Sequence, residues 1–244
     1  MCWNQDISIN TFVFSTLALL FIFFTNTFTK YKSKTFDNPL VYLFLFETVS
    51  MQLVEFFLWR NLKNKSANAA LSKIASVLTA TQMGTIILMI PDFYMKLAAF
   101  ATYVLYFILY FEYRRVYNPM IFHTSIGENG HLSWEWLNFK GYENVFLFIF
   151  LLFYIVPVLM INNAKLAFIV IFSVFVSLFF YYRYNTFGTM WCWIANFSLL
   201  YFICDILIIQ PYYEYNGLCW LCWIIILNKI VSINNIYKWS SLIL

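Results

Sequence analysis

The chain has 244 residues, of which 63% are hydrophobic and 11% are charged, and its net charge is +4. A soluble domain carries about 25% charged residues and cannot bury this much apolar surface, so the composition excludes a soluble protein. The positive charges form no basic run, which leaves nucleic-acid binding without support. The composition therefore predicts an all-α fold, a polytopic transmembrane helical bundle.

Eight hydrophobic segments are long enough to cross a bilayer, which takes about 20 residues as a helix. In chain order they are residues 10–29, 40–59, 69–91, 95–116, 142–161, 165–182, 188–209 and 217–236. The last segment turns polar after residue 227, so seven spans are the alternative. The acidic leader before the first segment has no small-residue cleavage site, so that segment is predicted to remain as a helix. Without a linker or an internal repeat, residues 1–244 are predicted to form one membrane domain.

The second span, residues 40–59, carries three strongly polar side chains in an apolar sequence. At about 100° per residue, Glu47, Gln52 and Glu55 fall within one arc of the helix. An ionisable side chain at bilayer depth costs about 2.5–3.5 kcal/mol, so this arc needs protein or water partners. Two interpretations are open: a structural seam of hydrogen bonds between helices, or a stripe that handles a proton or a solute. The candidate partners from other spans are Gln82 and Lys229.

The Lys and Arg residues of the loops predict the orientation of the bundle. If every span crosses, nine of them lie on the side of the N-terminus and five on the opposite side. Cytoplasmic loops carry an excess of Lys and Arg, so the sequence predicts an integral membrane protein with a cytoplasmic N-terminus.

Aromatic-rich segments meet on the N-terminal side in this topology. Tryptophan favours the membrane–water interface, which is one explanation for them. The other is a packed cap, in which the N-terminus and the loop 118–141 close over the mouth of the bundle. In that loop Glu135 is the functional candidate, unless its carboxylate caps a helix or pairs with Arg114 or Arg115. The candidate cap residues are Cys2, Trp3, Trp134, Glu135, Trp136, Trp191 and Cys192.

Four short motifs carry a family resemblance. They are MCWN at the start, QLVEFFLW in the second span, HLSWEW in the loop 118–141 and WCW at the start of the seventh span. In this order they resemble a multi-pass membrane protein family found in giant DNA viruses, algae and other protists, and bacteria. The resemblance extends from residue 1 to about residue 209. The family has no established activity, so the resemblance implies a membrane location and nothing further.

The sequence contains no motif typical of an enzyme. No nucleophile–base pair or metal-binding pattern is visible, so no catalytic residue, metal or cofactor is predicted. His123 and His131 lie near two glutamates in the loop 118–141, but their spacing matches no zinc motif. Cys219 and Cys222 form a CxxC in an apolar segment, where packing is favoured over redox chemistry.

The predicted function is a channel-like or transporter-like bundle that moves a proton, an ion or a small polar solute along the Glu/Gln stripe. The alternative is a structural or interaction membrane protein, or a subunit of a larger membrane assembly. The expected partners are the lipid bilayer and a second copy or another membrane protein. A cavity around Glu47 and Glu55 would favour transport, whereas a solid interior with both carboxylates fully paired would favour the alternative.

Overall fold

Short polar side chains mark where the helices begin. The computed structural model describes residues 4–139 and 141–210 of the chain. Within these ranges, five side chains each accept a hydrogen bond from a backbone N–H in the first turn of the helix that follows; they are Asn4, Asn38, Asn64, Asp92 and Asn163. Each such cap satisfies a backbone donor that the helix leaves open and contributes about 1 kcal/mol.

The described residues form seven helical segments that are long and apolar enough to cross a membrane. The first six are α1 (Gln5–Phe28), α2 (Pro39–Arg60), α3 (Lys65–Leu88), α4 (Phe93–Val116), α5 (Asn144–Met160) and α6 (Ala164–Tyr181). The seventh, Phe187–Ile209, consists of α7 (Phe187–Asn196), α8 (Ser198–Cys204) and a π-helical turn (Asp205–Ile209). The prediction of an all-α, multi-pass membrane protein is confirmed.

The span count, the start of α1 and the continuity of the seventh span differ from the prediction. The described residues contain seven spans rather than eight, which is the alternative count. The predicted eighth span, 217–236, lies outside the described residues. Helix α1 begins at Gln5 instead of residue 10, because the side chain of Asn4 accepts a hydrogen bond from the backbone of Ile7. The seventh span was predicted as continuous but is interrupted at Phe197. That residues 1–244 form one domain stays a prediction.

Helix α2 lies at the centre of the bundle and α4 at its edge. Helix α2 packs along both α1 and α3 and also contacts α7. Helices α5 and α6 complete the bundle between α3 and α7, and α4 contacts α3 and α5. Of the apolar window of each helix, 56% of α2 is buried but only 11% of α4. The outward faces of the peripheral helices are apolar, as is expected of surfaces that face lipid. Polar side chains at most positions of α2 are therefore enclosed by neighbouring helices rather than exposed to lipid.

A small β-hairpin that was not predicted lies between α4 and α5. Strands β1 (Thr124–Ile126) and β2 (Leu132–Trp134) pair antiparallel. Gly130, with φ +79°, lies in the turn between them, in a left-handed conformation that glycine adopts without strain. Helices α1, α3 and α5 begin at the same end of the bundle. Because the hairpin comes just before α5, it lies at that end, on the N-terminal side.

Candidate intramembrane polar site and its cap

Glu47 lies inside the bundle between α2 and α3. Its side chain is buried, with 8% of the residue exposed. The Thr85 hydroxyl on α3 donates a hydrogen bond to Glu47 Oε1 over 3.2 Å. The Thr81 hydroxyl on α3 also lies near this carboxyl. The other oxygen, Oε2, is buried and has no hydrogen-bond partner within 3.5 Å among the described residues. Nor does Glu47 form an ion pair within that part of the chain.

Gln52 and Glu55 lie on the same side of α2, nearer the N-terminal end of the bundle. Both residues are fully buried. Gln52 Nε2 donates a hydrogen bond to Glu55 Oε2 over 3.1 Å, and Gln52 Oε1 is buried with no partner in the described ranges. The arc that helical periodicity defines on α2 therefore faces protein along its whole length.

Tyr154 on α5 joins this group, and the sequence did not reveal it. Its hydroxyl lies 3.0 Å from the Thr79 carbonyl and 3.3 Å from Gln82 Oε1, both on α3. Gln82 is fully buried, and its Nε2 has no hydrogen-bond partner among the residues described. Tyr154 is within electrostatic range of Glu47 and of Cys192. The only signal in the sequence was that Tyr154 is the single tyrosine of the largely apolar helix α5.

The start of the seventh span closes the group on the opposite side from α3. The ring of Trp191 packs edge-on against Tyr154 with centroids 4.2 Å apart, and its Nε1 donates to the Ser173 hydroxyl over 3.0 Å. Cys192 is fully buried and within electrostatic range of Glu55. Helices α2, α3 and α5 thus contribute a buried polar cluster, which consists of Glu47, Gln52, Glu55, Gln82 and Tyr154, and α7 packs against it through Trp191. The fifth predicted member, Lys229, lies outside the described residues.

Among the described residues, the cavity that reaches the polar cluster is a small one at Tyr154. The four main cavities of the described structure are lined by other residues than Glu47, Gln52, Glu55 and Gln82. The one that touches Tyr154 has a volume of about 10 Å³, which is about the space of one water molecule. Within the described residues, Glu47 is therefore not fully paired, which a structural role would have favoured, and the cavity nearest the cluster is small.

The loop between α4 and α5 lies against the N-terminal side of this cluster. We call residues 118–139 the cap loop. Trp134 and Trp136 in this loop are 2% and 5% exposed, and their rings stack with centroids 5.1 Å apart. Trp134 and Leu137 line the 10 Å³ cavity together with Tyr154. Both tryptophans are thus enclosed by protein.

Hydrogen bonds fasten the cap loop to helices on both sides. Asn68 on α3 donates to the Thr124 carbonyl over 2.9 Å and accepts from the Thr124 backbone N–H over 2.8 Å. On the other side, the Thr189 hydroxyl donates to the Leu132 carbonyl over 3.0 Å. An added Cβ at Gly188 would lie 2.7 Å from a methyl carbon of Leu137, so α7 and the loop are in direct contact.

Glu135 does not make the pairing with arginine that the sequence suggested. It is half-buried, and its carboxylate accepts a hydrogen bond from Ser125 over 3.4 Å. Arg114 instead lies 3.6 Å from Glu143, and Arg115 lies 2.6 Å from Glu112. Glu112 lies one helical turn before Arg115 on α4, and Glu143 lies just before α5. These two carboxylates are nearer to the arginines than Glu135 in the cap loop. Of the other cap candidates, Cys2 and Trp3 lie outside the described residues.

The two histidines of the cap loop, His123 and His131, lie in the described part of the chain. Within residues 4–139 and 141–210, no group of three or more His, Cys, Asp or Glu side chains could hold a metal ion. His131 is 9% exposed and its ring meets Tyr181 edge-on, with centroids 5.6 Å apart. Burial lowers the pKa of His131 to about 4, so the imidazole is neutral at physiological pH.

The fold and the buried carboxyls characterise the chain as a multi-pass membrane protein with a polar interior. No family model, curated protein or solved structure matches it, and the resemblance to the multi-pass family of viruses, protists and bacteria therefore stays a prediction.

Proposed function

We propose that this membrane protein binds and transfers a proton inside the bilayer, and that Glu47 is the group that gains and loses it. One observation carries the proposal: Glu47 is buried at bilayer depth with one carboxyl oxygen unpartnered and no ion pair within the described residues. Burying an uncompensated carboxylate is far more costly than burying a neutral carboxylic acid. Protonation of Glu47 removes that cost, so the buried side chain favours binding a proton from its surroundings.

The surrounding side chains extend the route on either side of Glu47. Thr85 contacts its carboxyl directly, and Tyr154 and Gln82 form a separate hydrogen-bonded pair, with Gln82 on the same helix as Thr85. The Gln52–Glu55 pair continues toward the N-terminal side. Hydroxyl, amide and carboxyl groups can rotate or exchange protons, and such chains line the proton relays of membrane pumps.

The small size of the cavity at Tyr154 favours a proton over a larger solute. A hydrated ion or a polar metabolite needs an enclosed volume, and the cavity at Tyr154 is only about 10 Å³. A proton needs only hydrogen-bonded groups within reach of one another. We therefore narrow the predicted cargo to the proton. We further propose that the N-terminal side is cytoplasmic, because its loops carry the larger share of Lys and Arg.

Proton flux into liposomes tests this function. Purified protein would be reconstituted with an internal pH dye, and a potassium diffusion potential would drive proton entry. Wild type should acidify the lumen faster than empty liposomes, and Glu47→Gln should reduce the rate at least tenfold, because an amide cannot release a proton. Glu112→Gln is the matched control: Glu112 lies on the outer surface of α4, where it pairs with Arg115.

Two results would contradict the proposal. If the flux of wild type equals that of empty liposomes, the protein does not transfer protons. If the flux of Glu47→Gln equals that of wild type, Glu47 is not the group that carries the proton. A hydrophobic carbodiimide supplies an independent measurement, because it adds to protonated carboxyl groups inside membranes. Mass spectrometry should find the adduct on Glu47 in the wild type, with less labelling as the pH rises.

A structural or interaction role is the second candidate, and a different observation favours it. Only 22% of the apolar window of α1 and 11% of that of α4 is buried, so both helices present long apolar faces outward. Partner helices in a membrane assembly could cover these faces. If wild type carries no proton flux and co-purifies in native lipid particles with a stoichiometric membrane partner, this candidate replaces the first.

A further inference from the structure

Helix α3 carries a line of buried polar side chains that reaches from the polar cluster to the cap loop. We call this line the α3 stripe, and its members are Asn68, Ser72, Thr79 and Gln82. With Ala75 between Ser72 and Thr79, the positions recur every three or four residues, which places them on one face of the helix. None of the four polar residues is more than 1% exposed. The stripe therefore joins Gln82 of the polar cluster to Asn68 in the first turn of α3.

The cap loop meets the N-terminal end of this stripe through a pair of hydroxyl groups. The Ser72 and Thr124 hydroxyls lie 2.8 Å apart, and either of them can be the donor. Both residues are fully buried. Two hydrogen bonds between Asn68 and the Thr124 backbone hold the strand in place, so the Thr124 hydroxyl stays aligned with that of Ser72. Because each hydroxyl both donates and accepts, such a pair can pass a proton in either direction.

Glu55 lies at the depth where the α3 stripe lacks a polar side chain. The hydrogen bond between Thr85 and Glu47 sets the relative depth of α3 and α2, which run in opposite directions. Both helices rise by about 1.5 Å per residue. Since Glu55 comes eight residues after Glu47, the α3 residue at its level comes eight residues before Thr85, between Ser72 and Thr79. A carboxyl group of α2 thus occupies the interval in depth between the two parts of the stripe.

We propose that the Ser72 and Thr124 hydroxyls relay the proton between Glu55 and the N-terminal face of the protein. The inference rests on the proposed proton transfer and extends it by naming the groups through which the proton enters or leaves. In the inward direction, the Thr124 oxygen accepts a proton and its original hydroxyl proton moves to the Ser72 oxygen. Ser72 in turn releases its own hydroxyl proton toward the Glu55 carboxylate, which accepts it. Each hydroxyl oxygen gains one O–H bond and loses one, and rotation of both groups restores the starting state.

Substitutions of Thr124 separate a relay from a merely structural contact, because the hydrogen bonds with Asn68 use only the Thr124 backbone. Thr124→Val keeps the shape of the side chain without its hydroxyl, whereas Thr124→Ser keeps the hydroxyl and loses a methyl group. In the liposome assay with an internal pH dye, Thr124→Val should lower the proton flux about tenfold, because a route that loses a proton-transfer group is slowed. Thr124→Ser should stay within about twofold of wild type, because it keeps the group that donates and accepts.

Ser72→Ala supplies a second, independent variant and should lower the flux as Thr124→Val does. Ser76→Ala is its matched control: Ser76 lies one turn further along α3, is partly exposed, and donates its hydroxyl to the Lys73 carbonyl of the same helix. The flux of Ser76→Ala should equal that of wild type. Circular dichroism of each variant verifies that the bundle is folded, so a reduced flux reports on proton transfer.

Two outcomes would overturn the relay while leaving the proposed function intact. They are equal flux in Thr124→Val and Thr124→Ser, and equal flux in Ser72→Ala and Ser76→Ala, each measured beside an active wild type. A wild-type flux no higher than that of empty liposomes would instead contradict the proposed function itself, and the relay with it. The wild-type measurement thus distinguishes the two failures.

Discussion

Gly188 and Gly84 form a matched pair that tests how the cap loop is held. Both are helical glycines, and alanine at either position should gain about 0.5–1 kcal/mol of helix propensity. At Gly188 the new Cβ would lie 2.7 Å from Leu137 Cδ2 and 2.9 Å from two ring carbons of Trp134. At Gly84 no heavy atom lies within 4 Å of it. The same substitution should therefore have opposite effects at the two sites.

The expected change in the free energy of unfolding is the sum of the packing cost and the gain in helix propensity. Overpacking a well-filled interior costs about 1–3 kcal/mol, and the helix gain offsets part of it. Gly188→Ala should lower the free energy of unfolding by roughly 1–2 kcal/mol, whereas Gly84→Ala should raise it by about 0.5–1 kcal/mol. Because the helix contribution largely cancels between the variants, their difference measures the packing of the cap loop against α7.

The free energy of unfolding of each variant is measured by reversible unfolding in mixed micelles. SDS is the denaturant and tryptophan fluorescence is the signal. Limited proteolysis reports on the cap loop itself, which should be cut faster in Gly188→Ala because Trp134 and Leu137 must move to make room. Equal stability of the two alanine variants, together with equal protection of the loop, would refute the close contact between the loop and α7.

Three further predictions concern the cap loop and the orientation. Asn68→Ala removes two buried hydrogen bonds to the Thr124 backbone and should cost about 2–4 kcal/mol in the same unfolding assay; a cost below about 0.5 kcal/mol would contradict the role of Asn68 as a fastener. Burial lowers the pKa of His131 from 6.5 to about 4, so the unfolded chain binds the proton more readily. Stability should be complete above pH 6.5 and fall as the pH drops toward about 4, and His131→Phe should remove that part of the slope. In intact cells, an impermeant maleimide should label a cysteine at exposed Lys34, but one at exposed Lys63 only after permeabilisation; the reverse pattern would invert the proposed orientation.

The polar cluster shows how far local sequence reasoning reaches. Helical periodicity placed Glu47, Gln52 and Glu55 on one arc, and the cost of exposing them to lipid indicated that the arc faces protein. The structure buries all three. Tyr154 escaped prediction because its contact with Gln82 joins residues 72 positions apart, and no local pattern reports such a distance.

The pairing of charges near the cap loop shows the same limit. The sequence offered Glu135 as a partner for Arg114 or Arg115, because all three share one side of the membrane. The structure pairs those arginines with Glu143 and Glu112 instead. Which of several nearby carboxylates an arginine meets depends on how α4, α5 and the loop pack, and composition does not encode that packing.

The amino-acid sequence by itself determined the helices, their membrane character and the inward direction of the acidic arc. Each follows from interactions within about one helical turn or from the transfer of side chains between water and lipid. The tertiary structure alone decided that the cap loop lies on Tyr154 and that Arg114 pairs with Glu143. These features arise from the fit of side chains that are far apart in the chain, so they exist only once the helices have packed together.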